Sequence, residues 1–70
     1  MREKICKKLV DLREEKDFTQ KRVAEEINVA QRTYCGYETG SRAIPIEILC
    51  KLAKYYGVSL DYLVGLTDKR

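Results

Sequence analysis

Gln31 and Arg32 are neighbouring residues whose side chains can each form two hydrogen bonds with one planar partner. In the major groove of duplex DNA, a glutamine amide matches the edge of adenine and an arginine guanidinium matches the edge of guanine. The exposed face of a helix that begins here carries Gln31, Arg32, Thr33, Cys35 and Gly36. These residues could read base edges, or they could be ordinary solvated residues at the start of a helix.

The residue types that carry most catalytic and metal chemistry are absent or badly spaced. The chain has no histidine, and its three cysteines, Cys6, Cys35 and Cys50, form no Cys-x-x-Cys pair. We therefore expect no metal site, and we interpret the cysteines as free thiols. No carboxylate pair has a recognisable catalytic spacing, and Cys35 would lack a base to activate it. We expect no catalytic residues, no enzymatic activity and no cofactor.

The spacing of apolar residues predicts the helices that position Gln31 and Arg32. Ile5, Leu9 and Leu12 recur at helical spacing and predict a first helix, which ends at Asp17. Thr19 is a good N-cap for a second helix, because its hydroxyl can accept a hydrogen bond from a backbone N–H of the first turn.

The second and third predicted helices are short and close together. The second stops at Asn28, which tolerates the left-handed conformation that a tight turn requires. The third runs from Gln31 to about Glu38 and ends at Gly40. Two short helices joined by the three residues 28–30 are typical of a helix-turn-helix.

Two further helices follow, and no segment alternates with the period of a strand. Pro45 is expected near the first turn of a fourth helix that Gly57 ends, and Ser59 is expected to cap a fifth helix that Gly65 ends. We predict an all-α fold with five helices over residues 1–66 and a frayed tail over 67–70. The expected core consists of Ile5, Leu9, Leu12, Val23, Ala24, Ile27, Tyr34, Leu49, Leu52, Ala53 and Leu63.

Length and charge limit the possible classes of function. Seventy residues make one domain, and a chain of this size buries only about 60% of the surface that its unfolded form exposes. The formal net charge of +3 is a weak indication of an anionic partner. The start of the chain lacks the apolar segment of a signal peptide, and no apolar run could span a bilayer, so we expect a cytoplasmic protein without membrane contact. The chain is too short for a separate ligand domain, so we expect no small-molecule ligand.

Together, these segments resemble the Cro/repressor-type helix-turn-helix family, also called the xenobiotic response element family. The similar segments are Thr19–Ile27, Val29, Tyr37–Gly40 and Val58–Leu63, and the resemblance extends from about Ile5 to Gly65. It implies a five-helix, lambda-repressor-like domain that binds operator DNA. It also implies control of transcription, as a repressor in our interpretation, and a homodimer that could form only on DNA.

The resemblance also implies a role for individual residues. Gln31 and Arg32 match the positions that open the recognition helix and read bases, and Thr33, Cys35 and Gly36 match positions near the groove. Gly36 has no side chain to read a base, although it would allow close approach of the backbone. The implied phosphate contacts are Thr19, Gln20, Ser41 and Arg42, although Arg42 could also be an ordinary surface cation. Arg13 and Glu38 match a salt bridge between the first helix and the recognition helix.

Two residues depart from the family pattern. Ala30 stands where a Ser or Thr cap is expected, which costs about 1 kcal/mol of helix stability, and Asn28 replaces the usual Gly. An alternative function is a protein-interaction module, such as an antitoxin or phage-type regulator. This alternative rests on four apolar or aromatic residues near the C-terminus, Tyr55, Tyr62, Val64 and Leu66. Their apolar surface could be larger than the core can bury, and the excess would form a contact surface.

Overall fold

The computed structural model describes residues 2–70 and, for Arg2, the backbone alone. The first residue of the predicted domain, Met1, therefore lies outside the described residues. The described residues form five helices and no strand, which confirms the predicted all-α fold. The helices are α1 (Arg2–Glu15), α2 (Gln20–Glu26), α3 (Gln31–Thr39), α4 (Ile46–Tyr56) and α5 (Leu60–Leu63).

Local chemistry fixes the ends of these helices. The hydroxyl of Thr19 accepts a hydrogen bond from the backbone N–H of Arg22 at 3.0 Å, and Ser59 does the same for Tyr62 at 3.0 Å. Both predicted N-caps are thus confirmed. At the other ends of α3 and α4, Gly40 (φ 85°) and Gly57 (φ 68°) adopt the left-handed conformation, which glycine reaches without steric penalty.

Residues from all five helices form the core. α3 packs against both α1 and α2, while α5 packs against α4 and α1. All eleven predicted core residues are buried, and Tyr37 and Tyr56 join them. Tyr34 is fully buried, which fastens α3 to the core through one face and leaves its opposite face exposed.

The C-terminal part of the chain is less exposed than the sequence suggests. Tyr55, expected in an apolar contact surface, is half-buried and packs against Phe18 at a ring-centroid distance of 5.6 Å. Tyr62 is half-buried too, with the Lys8 ammonium 4.2 Å from its ring centre. Only Leu66 of the four predicted surface residues is largely exposed, at 70%.

Residues 67–70, predicted to fray, include one residue that contacts the folded domain. The Arg70 guanidinium donates to both carboxylate oxygens of Glu15 at 2.8 and 2.9 Å. The Arg70 carbonyl oxygen accepts a hydrogen bond from the backbone N–H of Ser59 at 3.0 Å. Sequence periodicity could not indicate these contacts, because they join residues far apart in the chain.

Among residues 2–70, no helix is long and apolar enough to cross a membrane.

Candidate DNA interface

The turn between α2 and α3 sets the angle at which α3 is presented. Asn28 has a φ of 62°, as its expected left-handed conformation requires. The backbone N–H of Val29 donates to the Ala24 carbonyl at 2.9 Å, which folds the turn back onto α2. Ala24 is 1% exposed, so its small side chain lies where the two helices approach. Residues 27–30 thus form the turn between the two helices.

A buried ion pair joins α1 to the C-terminal half of α3. Arg13 Nε donates to Glu38 Oε2 at 2.7 Å, and a second guanidinium nitrogen donates to Oε1 at 3.2 Å. The Glu38 side chain is only 4% exposed and the Arg13 side chain 17%. The remaining guanidinium nitrogen donates to the Phe18 carbonyl at 3.0 Å, so all three nitrogens of Arg13 have acceptors.

Gln20 adds α2 to this network, a contact that the sequence reasoning missed. Its Nε2 donates to Glu38 Oε1 at 3.0 Å. Glu38 therefore receives hydrogen bonds from α1 and α2 while it belongs to α3. Gln20 was predicted from the resemblance as a phosphate contact, and its amide nitrogen has a second N–H that can donate to a phosphate oxygen.

The surroundings of Glu38 determine its pKa. Burial alone would raise the pKa of the carboxyl, but hydrogen bonding, most of all from Arg13, and the positive charge of Arg13 outweigh it, and the pKa lies below its usual value. The same hydrogen bonding raises the pKa of the Arg13 guanidinium. Both groups are therefore charged at neutral pH, and neither charge is unpaired.

Three tyrosine hydroxyls are buried, those of Tyr34, Tyr55 and Tyr56. The hydroxyl oxygens of Tyr34 and Tyr56 are both buried without a hydrogen-bond partner among the described atoms. Burial raises the pKa of Tyr34 far above its ordinary value, and it raises the pKa of Tyr56 to about 12. Both hydroxyls are therefore protonated over the whole range in which the protein would work.

The exposed face of α3 carries most of the predicted base-reading residues. Gln31 and Arg32 are exposed, while Thr33 and Cys35 are half-buried at the edges of that face. Arg32 makes no ion pair with the described part of the chain. No side-chain hydrogen bond caps α3 at Ala30, as its residue type predicts.

Gly36 lies in a different environment from the one that the sequence predicts. It is buried, because the side chain of Arg42 packs over it. The expected open approach of its backbone to DNA is thus blocked by Arg42 in the free protein. A sequence cannot indicate this contact, because it depends on how the loop after α3 turns back.

Thr39, Ser41 and Arg42 lie together where α3 ends. The Ser41 and Thr39 hydroxyl oxygens are 3.2 Å apart, within hydrogen-bonding distance. The Gly36 carbonyl accepts hydrogen bonds from the backbone N–H groups of Gly40 and Arg42, at 3.0 and 3.2 Å. The predicted phosphate contacts after α3, Ser41 and Arg42, are both exposed residues in this turn.

A family model described as helix-turn-helix (HTH_3) matches residues 9–63. Among curated proteins, an uncharacterized HTH-type transcriptional regulator of Bacillus subtilis, YobD, is 43% identical over 63 residues, covering 90% of this chain and 56% of that protein. The cryptic phage CTXphi transcriptional repressor RstR of Vibrio cholerae is 46% identical over 58 residues, covering 83% and 52%. The chain thus spans about half the length of these relatives.

A solved structure shares the arrangement of helices. The crystal structure of a transcriptional regulator from Listeria innocua superposes with a TM-score of 0.84 and is 33% identical in sequence. The superposition covers 94% of this chain and 62% of that one.

Proposed function

The chain belongs to the helix-turn-helix family (HTH_3), and from this premise we propose that it regulates transcription, as a repressor, by binding operator DNA. The observation that carries the proposal is the exposed polar face of α3, held outward by Tyr34 in the core and by the Glu38 network. A helix fits a major groove, and the exposed residue types of α3 can hydrogen-bond with base edges there. Because its proposed target is operator DNA, we expect the protein to act in the cytoplasm.

Base reading in this proposal belongs to the first turn of α3. Gln31 and Arg32 are exposed and adjacent, so Gln31 can hydrogen-bond with adenine and Arg32 with guanine. Thr33 and Cys35 lie at the edges of the same face, where they would contact a thymine methyl or the groove wall.

Phosphate binding in this proposal belongs to the ends of α2 and α3. The exposed hydroxyl of Thr19 accepts the capping hydrogen bond from the backbone N–H of Arg22, and its own hydrogen is available to donate to a phosphate oxygen. Gln20 lies next to it in the first turn of α2, where the helix dipole adds attraction for an anion. Ser41 supplies a further hydroxyl beyond α3. Such contacts fix the register on DNA without reading its sequence.

We also propose that two copies act together on DNA as a homodimer. A single recognition helix reads only a few base pairs, too few for a useful preference over competing genomic sites. Leu66 is 70% exposed and Val64 is half-buried, which leaves a small apolar surface next to α5. A contact this small favours assembly on a near-palindromic site, with the recognition helices about 34 Å apart.

The test is selection of bound duplexes from a random DNA pool, followed by measurement of affinity at several salt concentrations. We expect an enriched sequence with two related half-sites. We also expect an affinity that falls steeply as the salt concentration rises, because protein binding releases the cations condensed on the DNA. No enrichment above the input pool would refute DNA reading. That result would favour the alternative of a module that binds a protein partner.

A further inference from the structure

The exposed face of α3 has a gap where a side chain would be expected. Arg32, Gly36 and Thr39 follow one another at helical spacing and so share one face. This face points away from the core, which α3 contacts through Tyr34 and Tyr37. Gly36 lies in its middle and contributes no side chain, yet it is buried rather than open.

The side chain of Arg42 fills this gap. A Cβ atom added at residue 36 would lie 2.8 Å from Arg42 Cγ, 2.9 Å from Cδ and 3.2 Å from Cβ. The first two distances are shorter than real Cβ contacts and the third is tight, so the Arg42 stem occupies the volume of the missing side chain. Any residue other than glycine at position 36 would force the Arg42 stem to shift.

The backbone after α3 holds Arg42 in that position. Gly40 turns the chain with a φ of 85°, and the backbone N–H of Arg42 then donates to the Gly36 carbonyl at 3.2 Å. The stem of Arg42 therefore begins next to Gly36 and packs over it. Its guanidinium has no ion-pair partner within residues 2–70.

We propose that Arg42, rather than residue 36, reads a base edge from the middle of the recognition face, and that Gly36 is the residue that positions it. This inference rests on the proposed DNA-binding function. An arginine on this face can donate to both acceptors of a guanine, as Arg32 can one turn earlier. Because packing against Gly36 already orders its stem, Arg42 loses less rotamer freedom on binding than a free surface arginine. The family resemblance implies a phosphate contact for Arg42 instead, so the two roles make opposite predictions about sequence preference.

The first experiment compares the wild-type chain with Arg42→Ala on duplexes from the random-pool selection, by fluorescence anisotropy. We expect Arg42→Ala to lose about 5- to 150-fold in affinity for the enriched duplex, the range of one bidentate base contact, and to lose preference at one base pair. Lys51→Ala, which removes one exposed positive charge from α4, is the control and should keep the full sequence preference. A loss that is equal on all duplexes for Arg42→Ala would mean a phosphate contact and would overturn the reading role.

The second experiment tests Gly36 through Gly36→Ala alone and combined with Arg42→Ala. Alanine is favoured over glycine within a helix, so thermal melts followed by circular dichroism should show a folded variant. We expect Gly36→Ala to lose the same base-pair preference as Arg42→Ala and to have no further effect in the Arg42→Ala background. An equal loss in both backgrounds would mean that the added methyl group meets the DNA itself, which would overturn the positioning role.

A measurement without DNA separates this inference from the proposed function. In the free protein, NMR should detect short proton–proton distances between the Gly36 Hα atoms and the Arg42 side-chain methylenes. Their absence would overturn the inference even if DNA binding is intact. If they are present but the wild-type chain enriches no duplex, the proposed function fails and the reading role of Arg42 fails with it.

Discussion

Replacing Arg13 with methionine removes the main partner of Glu38, the only charged residue that is buried within the described part of the chain. Removing one member of a buried ion pair typically destabilises a protein by about 3–5 kcal/mol, because the other charge stays buried and unpaired. Gln20 would still donate to Glu38, and Arg13 is itself partly exposed. We therefore expect the lower end of that range, about 3 kcal/mol.

That loss is large for a domain of this size. At roughly 0.05–0.15 kcal/mol per residue, a chain of this length has a total stability of about 4–10 kcal/mol. The measurement is urea unfolding of both proteins at pH 7, followed by circular dichroism at low temperature. Lys7→Met is the control, because Lys7 pairs with Asp11 on the surface at 77% and 57% exposure. Its effect should stay within about 0.5 kcal/mol.

The pH dependence provides a second check. In the wild-type protein the pKa of Glu38 lies below its unfolded value, so its contribution to stability is present at neutral pH and is lost as the pH falls through the folded pKa. In Arg13→Met, burial acts with less opposition and we expect the pKa to rise above the unfolded value. The penalty is then present at pH 7 and disappears as the pH falls to about 4. The stability difference between the two proteins should therefore narrow from pH 7 to pH 4.

Three outcomes would refute this reasoning. The first is a loss below about 1 kcal/mol at pH 7, and the second is a difference that stays constant between pH 7 and pH 4. The third concerns the double variant Arg13→Met with Glu38→Gln. If it loses the sum of the two single losses, the residues do not interact energetically.

Three further predictions concern DNA binding and helix capping. Arg32→Ala should weaken binding to the preferred duplex by about 1–3 kcal/mol and lose sequence preference at one base pair, whereas Gln20→Ala should weaken binding to all duplexes equally. Anisotropy titrations in which both variants lose affinity with the same sequence dependence would contradict this. Ala30→Ser should supply the missing cap of α3 and stabilise the domain by about 1 kcal/mol, and Thr19→Ala should remove the cap of α2 and destabilise the domain by a similar amount. Equal urea midpoints for the two variants would refute the capping argument. Leu66→Glu should abolish cooperative binding to a palindromic duplex while leaving half-site affinity unchanged, and equal one-to-one binding of the wild type to both duplexes would exclude the dimer.

The helices and the core could be predicted because they depend on local signals. Apolar spacing located α1. Thr19, Ser59 and Gly57 marked helix ends through hydrogen bonds or backbone conformations that each residue type determines by itself. Asn28 was predicted for the same reason, since few residue types tolerate its φ of 62°.

The remaining features depend on contacts between distant residues, which spacing does not encode. Arg42 reaches Gly36 because the loop after α3 turns back. Tyr55 is partly covered by Phe18, which lies in the distant connection between α1 and α2. The Gln20–Glu38 contact likewise needs the crossing angle of α2 and α3. The resemblance supplied Arg13 and Glu38 as a pair, but no sequence pattern indicated the third member.

The short connections of this fold have a consequence for how fast the chain folds. Consecutive helices are separated only by residues 16–19, 27–30, 40–45 and 57–59, and α2 packs directly on α3 and α4 on α5. Small loops lose little entropy on closure, and helical domains dominated by such local contacts fold in microseconds to milliseconds. A marginally stable domain with this topology refolds soon after each unfolding event. Brief unfolded intervals give exposed apolar segments little time to associate, so rapid refolding compensates in the cell for a small core.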